Sequence, residues 1–175
     1  MGEVHPIFLV EYDPSWPQKY ADEAECLRSL FSLDLVTRIE HYGSTSVPGL
    51  AAKPVIDILM EISSFEAAEL EMIPVLDNLG YGYDWYAEHL VFFKGYGSNA
   101  PLKYHIHVAP SDHPLMDGLL FRDYLRKYPK TAQKYEALKW VLAEQYRNDR
   151  EGYTNAKSDF VREINEKARK EKDGL

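Results

Sequence analysis

A short loop has the residue types needed to bind a phosphate group. Gly43, Ser44, Thr45 and Ser46 follow a segment with the β-branched, alternating character of a strand. Glycine lets the backbone approach a ligand closely, and hydroxyl groups beside backbone N–H groups suit phosphate oxygens. Lys53, a few residues further on, can neutralise the same anion. Serine and threonine also favour helix N-caps, so the local chemistry leaves a phosphate loop and a helix cap equally open.

A single carboxylate follows this loop. Asp57 lies between Ile56 and Ile58 in nearly continuous apolar sequence, which is typical of a strand buried on both faces. A carboxylate in such surroundings costs free energy unless it is paired, hydrogen-bonded or bound to a metal. A structural ion pair is one explanation. We favour a functional role, because Asp57 is close in sequence to the Gly-Ser loop.

A pair of histidines could share a metal ion with that carboxylate. His105 and His107 are two residues apart on a predicted strand, so both project from the same face. Two imidazoles on one face suit a shared metal, a phosphate or an acid/base pair. Glu40 and His41 point to opposite faces of the strand before the loop, so only one of them can lie near Asp57. The sequence therefore predicts a mixed metal site of Asp57, His105 and His107, with Glu40 or His41 as a further ligand.

The elements that would position these residues fall into two parts. We predict strands and a hairpin over Phe8–Glu11 (an edge strand), Val36–Tyr42, Val55–Ile62, Tyr81–Tyr86 with Leu90–Tyr96, and Lys103–Ala109. We predict helices after Asp13 or Ser15 and over Phe65–Leu79, Leu115–Lys127, Lys130–Arg147 and Gly152–Lys172. The expected fold is α+β, a mixed sheet flanked by helices. It is a single domain over 1–175, with an α/β core over about 1–112 and a helical extension over about 113–175 packed on it.

The composition excludes several classes of protein. The 175 residues include 28 acidic and 20 basic side chains, giving a net charge of −8, which argues against an extensive nucleic-acid surface but leaves room for a small basic pocket. The apolar runs are too short to cross a bilayer, and the first residues lack the pattern of a signal peptide. Cys26 is the only cysteine, so the reducing cytoplasm is the expected compartment. We expect a small-molecule or nucleotide ligand, and the oligomeric state is left open.

Several motifs are distributed over roughly residues 8 to 165. The central one runs from Glu40-His41-x-Gly43-Ser44-Thr45-Ser46-Val47-Pro48-Gly49-Leu50-Ala51 through Lys53-Pro54 to Ile56-Asp57-Ile58. The others are Tyr12-Asp13-Pro14-x-Trp16-Pro17, His105-Ile106-His107-Val108, Phe121-Arg122-Asp123-Tyr124-Leu125-Arg126 and Tyr153-x-x-x-Lys157-x-x-Phe160.

Together these motifs resemble the GrpB family over roughly residues 8 to 165. The resemblance implies the nucleotidyltransferase fold of the DNA polymerase β-like superfamily. In that fold a Gly-Ser turn precedes an Asp-x-Asp/Glu strand and a third carboxylate, and the carboxylates hold two divalent cations beside the nucleotide phosphates. Gly43-Ser44 and Asp57 match the first two elements. The sequence departs from the pattern at the second acidic position, which is Leu59, and the third strand offers histidines instead of an acid. Mg²⁺ or Mn²⁺ is expected at Asp57 in preference to Zn²⁺.

The resemblance also assigns roles to residues of the helical extension. Arg122, Tyr153 and Lys157 are expected to close over the Gly-Ser pocket, where cationic groups would hold a polyphosphate. The predicted function is that of a nucleotidyltransferase-like protein with Asp57, His105 and His107 as catalytic residues. Two alternatives stay open. One is a non-catalytic nucleotide- or phosphate-binding module that lost the two-metal carboxylates, and the other is a histidine-assisted, metal-dependent phosphohydrolase.

Overall fold

The computed structural model describes residues 6–86, 88–95 and 102–174. Its centre is one five-stranded sheet in the order β1-β2-β5-β4-β3, where β1 is Val36–Tyr42, β2 is Val55–Ile62, β3 is Gly82–Tyr86, β4 is His89–Lys94 and β5 is Lys103–Pro110. β2 and β5 are parallel, and the other three pairs are antiparallel. The predicted mixed sheet is confirmed. Ala87 and Tyr96, which belong to the predicted hairpin, lie outside the described residues.

Helices surround this sheet and make up the last third of the chain, which confirms the α+β class with a helical C-terminal part. They are α1 (Trp16–Leu30), α2 (Phe65–Ala67), α3 (Ile73–Asn78), α4 (Asp117–Lys127), α5 (Pro129–Gln145), α6 (Arg150–Ala156) and α7 (Ser158–Lys172). A π-helical turn over Ala68–Met72 joins α2 to α3, where a single helix was predicted. Pro74 lies in the first turn of α3 and has no N–H to donate, so the regular hydrogen-bond ladder is interrupted at this point.

The predicted edge strand over Phe8–Glu11 is wrong. Only an isolated bridge is formed there, in which Val10 and Ala52 exchange two backbone hydrogen bonds of 2.9 Å. Ile7 instead donates its N–H to the carbonyl of Arg147, at 2.7 Å. The apolar side chains of this segment pack against the C-terminal helices, because Ile7 and Leu9 share a buried cluster with residues of α5 and α6.

The register of the central strands brings the predicted chemistry onto one face of the sheet. Tyr42 lies opposite Asp57 across β1 and β2, and Asp57 lies opposite His105 across β2 and β5. Alternate residues of β2, such as Ile56 and Ile58, point the other way into the main hydrophobic core. No helix in the described part of the chain combines the length and apolar character needed to span a membrane.

Candidate functional site

Three side chains from two parallel strands form what we term the strand cluster: Asp57 of β2 and His105 and His107 of β5. Oδ1 of Asp57 lies 3.6 Å from Nδ1 of His105 and 3.7 Å from Nε2 of His107. One ligand atom from each residue lies within 4.8 Å of the other two, which is close enough for all three to hold one metal ion. All three side chains are only partly buried, so the cluster is accessible to a ligand.

The turn after β1 brings its backbone against this carboxylate. Gly43 has a φ of +70°, in the left-handed region that favours glycine. A Cβ at this position would overlap Oδ2 of Asp57, so both the backbone conformation and the space require glycine here. The backbone of the Gly-Ser turn and the Asp57 carboxylate are therefore in contact, as a shared ligand site requires.

The hydroxyl groups of the turn have different surroundings. Thr45 is buried and lies 3.0 Å, through Oγ1, from Nε2 of His41. Ser46 is also buried and donates its hydroxyl to the carbonyl of Gly43, at 2.6 Å. Ser44 is less buried and interacts with the hydroxyl of Tyr135 on α5. Thr45 and Ser46 stabilise the turn through these contacts, and Gly43, Ser44 and Thr45 all contribute to the lining of the cavity beside it.

Opposite the strand cluster lie three lysines, which we term the lysine cluster: Lys53 before β2, Lys139 of α5 and Lys157 after α6. Both clusters contribute to one cavity of about 190 Å³, lined by Leu9, Gly43, Ser44, Thr45, Ala52, Lys53, Val55, Asp57, His105, Tyr135, Lys139, Tyr153 and Lys157. The ring of Tyr153 lies under two of the lysines, with Nζ of Lys157 at 4.0 Å and Nζ of Lys53 at 5.6 Å from its centroid. Cations approach an aromatic face favourably, so this ring supports both ammonium groups.

Helix α5 is hydrogen-bonded to the loop before β2 through the backbone of one residue, Ala51. Glu136 accepts a hydrogen bond from the N–H of Ala51, at 3.2 Å, and Lys139 donates to the carbonyl of the same residue. Lys139 is only 2 % exposed. These two bonds set the position of the helical wall relative to the strands.

The charges of the two clusters differ in how well they are balanced. Burial acts to raise the pKa of Asp57, but the hydrogen bond and charge of His107, with His105 and Lys53, outweigh it and lower that pKa. Burial lowers the pKa of His105 to about 4, so this imidazole is neutral at pH 7 and able to bind a metal. On the other side, burial and the charge of Lys157 lower the pKa of Lys139 to about 7.

The other two lysines are affected in the same direction. Burial and the charge of Lys53 lower the pKa of Lys157 to about 8. Burial and the charge of Arg150 lower the pKa of Lys53. The lysine cluster therefore carries more positive charge than the nearby carboxylates balance.

Two residues expected at the site are engaged elsewhere. Arg122 donates from Nη1 to Oε2 of Glu40 at 2.7 Å and to the carbonyl of His41 at 2.8 Å, and it does not line the cavity. Glu40 shares the face of Tyr42, but its carboxylate also accepts from Arg38, at 2.9 Å. In the described structure it is not part of the group that could share a metal ion.

His41 points to the opposite face of the sheet. It stacks on Tyr20 of α1, with ring centroids 4.6 Å apart. The structure thus brings together ten of the twelve predicted site residues around the turn and the cavity. Arg122 and Glu40 form an ion pair with each other, and Arg122 lines a neighbouring cavity together with Gly43 and Ser44. The ten are Gly43, Ser44, Thr45, Ser46, Lys53, Asp57, His105, His107, Tyr153 and Lys157.

Comparisons with known proteins identify the family of this chain. The family model described as "GrpB protein" matches residues 6–167. The chain belongs to the GrpB family. It is 38% identical to the UPF0157 protein of Halalkalibacterium halodurans, covering 96% of this chain and 87% of that protein. It is 40% identical to the UPF0157 protein of Pseudomonas aeruginosa, covering 90% of this chain and 66% of that protein.

A solved structure of the GrpB family has the same fold. The crystal structure of the conserved protein GrpB from Enterococcus faecalis superposes with a TM-score of 0.81 at 31% identity. The match covers 94% of this chain and 98% of that one, so the sheet and the helical extension described above are both part of the shared GrpB fold.

Three residues near this GrpB site were missed from the sequence. Tyr135 and Lys139 line the cavity from α5, and His89 of β4 lies beside His107. A signal existed for Lys139, because it interrupts the buried stripe of α5 formed by Ala132, Tyr135, Leu142 and Ala143. A cation within the apolar face of a helix is unusual unless it serves a local purpose. No comparable signal existed for His89, whose proximity depends on the pairing of β4 with β5.

Proposed function

We propose that this protein binds a nucleotide or another phosphorylated small molecule, with its phosphate groups at the lysine cluster and a divalent cation at the strand cluster. In this proposal the Gly-Ser turn contributes Gly43 and Ser44 to the phosphate site. The reaction class that best fits is nucleotidyl or phosphoryl transfer, in which catalysis consists largely of positioning and charge stabilisation.

The observation that carries the proposal is the unbalanced charge of the lysine cluster. Among the residues described, neither Lys53 nor Lys157 has a carboxylate within ion-pair distance, and their recorded neighbours include the same tyrosine ring. Lys53 and Lys157 are half-buried, and removing part of the water around a cation costs free energy that a bound anion would offset. A phosphate group would supply that negative charge, and Lys139 could then add a third ammonium group.

The donor set of the strand cluster is suited to a divalent cation. One carboxylate oxygen and two imidazole nitrogens converge, and the pKa of His105 keeps its ring neutral at pH 7. Imidazole ligands suit transition-metal ions better than Mg²⁺, which prefers oxygen. We therefore choose Mn²⁺ as the first ion to test, with Mg²⁺ and Zn²⁺ beside it. When bound, such an ion would polarise a phosphate oxygen and stabilise charge that develops during transfer.

Binding and turnover can be tested together. Thermal unfolding is measured with a panel of nucleoside triphosphates, each with and without Mn²⁺, and release of pyrophosphate or phosphate is followed in parallel. We expect Mn²⁺-dependent stabilisation by at least one nucleotide, and product release that is lost in Asp57→Asn. If no nucleotide in the panel raised the unfolding temperature of the protein, nucleotide binding would be contradicted.

The alternative is a non-catalytic module that binds the same ligands. It is favoured by Leu59, which occupies the second acidic position of the superfamily pattern and is 1 % exposed. Without a second carboxylate, the site would hold one cation where the transferases use two. Nucleotide binding that stabilises the protein equally with and without Mn²⁺, without product release, would favour this alternative over an enzyme.

A further inference from the structure

His89, the first residue of β4, lies next to the strand cluster on the same face of the sheet. β4 pairs with β5 so that Val91 lies opposite His107, and His89 is two residues before Val91. Nε2 of His89 lies 3.1 Å from Nδ1 of His107. One of these two nitrogens must carry a hydrogen and the other must accept it.

Metal binding would decide which nitrogen carries the hydrogen. The nitrogen of His107 that faces Asp57 is Nε2, at 3.7 Å from Oδ1. A neutral imidazole that offers the lone pair of Nε2 to a cation carries its hydrogen on Nδ1. That hydrogen points along the 3.1 Å contact, so Nε2 of His89 becomes its acceptor.

Neighbouring aromatic rings restrict the rotation of both imidazoles at this contact. His89 lies against the ring of Tyr86, at 6.5 Å between centroids, and edge-on to His113, at 5.9 Å. His107 is in edge contact with Tyr42, at 5.3 Å. These contacts limit the rotation of both imidazoles, so the nitrogen–nitrogen contact has a defined direction.

We propose that His89 is a positioning residue for the metal site: it accepts the Nδ1–H of His107 and thereby keeps Nε2 of His107 directed at the cation. This inference rests on the proposed function, because it requires a cation on the strand cluster. Outer partners that hold a ligating histidine in this way change metal affinity by about 10- to 100-fold when they are removed.

The test compares Mn²⁺ affinity, measured by isothermal titration calorimetry, in four proteins. His89→Phe keeps a ring but removes the nitrogen that accepts the hydrogen bond, and the dissociation constant of this variant for Mn²⁺ should rise by about 10- to 100-fold. His89→Gln can place an amide oxygen near the position of Nε2, so it should recover most of that loss. Tyr83→Phe serves as the control, because its exposed side chain on β3 points to the opposite face of the sheet from His107, and its affinity should equal that of the wild type.

A measurement on the wild-type protein makes the inference independent of variant stability. With Co²⁺ bound, proton NMR should show an exchangeable, hyperfine-shifted N–H of His107 with a nuclear Overhauser effect to the ring of His89. Wild-type protein that binds neither Mn²⁺ nor Co²⁺ would overturn the proposed metal site itself. Metal binding by the wild type, with equal affinity in His89→Phe or without that N–H signal, would overturn the role of His89 alone.

Discussion

Asp57 and His105 of the strand cluster line the same cavity as the lysine cluster, but the two clusters differ in how their charges are arranged. In the strand cluster, a carboxylate lies within 3.7 Å of two imidazole nitrogens, and the ladder between β2 and β5 holds all three residues. In the lysine cluster, burial lowers the pKa of each lysine and neighbouring positive charges lower it further. Lys53 and Lys157 also share one ring of Tyr153. The strand cluster pairs a carboxylate with two imidazoles, whereas the lysine cluster groups three side chains of the same charge.

This contrast separates the roles that the two sides would have in binding. A preorganised set of ligands selects a cation by donor type and geometry. A set of mutually repelling cations gains most from a ligand of high negative charge, such as a polyphosphate. Changes to the strand cluster should therefore remove metal binding, and changes to the lysine cluster should weaken anion binding while relieving repulsion in the free protein.

The largest effect is expected from removing the negative charge of the strand cluster. Asp57→Asn leaves two imidazoles and an amide without the anionic ligand, so the dissociation constant for Mn²⁺ should rise by at least about 100-fold. Calorimetric titration with Mn²⁺ measures this directly. Asp123→Asn, on the exposed side of Arg122, is the control and should bind as the wild type does. Equal affinity in Asp57→Asn and the wild type would remove Asp57 from the metal site.

The next effect concerns the turn that contacts Asp57. Gly43→Ala combines a left-handed backbone, which costs about 1–2 kcal/mol, with the overlap against Asp57, which costs about 1–3 kcal/mol. Gly49→Ala is a matched control, because Gly49 has a φ of +77° but open space around its Cβ position. Urea unfolding should show that Gly43→Ala lowers the free energy of unfolding more than Gly49→Ala does. Equal losses in both variants would mean that the contact between the turn and Asp57 does not constrain position 43.

The smallest effect is a pH dependence of anion binding at the lysine cluster. Lys139 and Lys157 have pKa values of about 7 and about 8, so they lose their protons as pH rises through this range. An anion prefers the protonated lysines, and its affinity should therefore fall as the pH is raised from 6.5 to 8.5, on the order of tenfold. Sulfate is a suitable probe because its own charge is constant over this range.

A lysine variant tests whether Lys157 itself contributes to anion binding. Lys157→Met should bind sulfate more weakly at pH 6.5 and show a shallower pH dependence, yet the free protein should be at least as stable as the wild type. The stability follows from the sign of the pKa shift: a lysine whose pKa is lowered by folding destabilises the folded state at neutral pH. The exposed Lys130→Met is the control and should change neither property. A variant with unchanged sulfate affinity would exclude Lys157 from the anion site.

The two clusters also differ in how far the sequence could predict them. Asp57 and His105 could be recognised because a polar residue within an apolar strand and a same-face histidine pair are local signals, and the predicted strands were largely right. Their alignment could not be read from sequence, since register depends on pairing between distant segments. Lys139 and His89 were missed because each reaches the site through tertiary packing, one from α5 and the other from β4.

The placement of Arg122 illustrates the same limit. Its position on α4 and its charge were compatible with a phosphate ligand, but its guanidinium lies next to Glu40 and the carbonyl of His41. A buried guanidinium takes the acceptors that surround it, and those are set by how α4 packs on β1. The edge strand predicted at Phe8–Glu11 failed for a related reason, because its apolar residues pack on helices that are distant in sequence.

The central claim is that one cavity holds a cation on the strand cluster and a phosphate on the lysine cluster at the same time. The most direct test is a crystal structure of the protein with Mn²⁺ and pyrophosphate, using the anomalous signal of manganese. The account predicts one anomalous peak bonded to Asp57, His105 and His107, with pyrophosphate density in contact with Lys53 and Lys157. A manganese peak at any other position, or pyrophosphate bound away from these lysines, would contradict it.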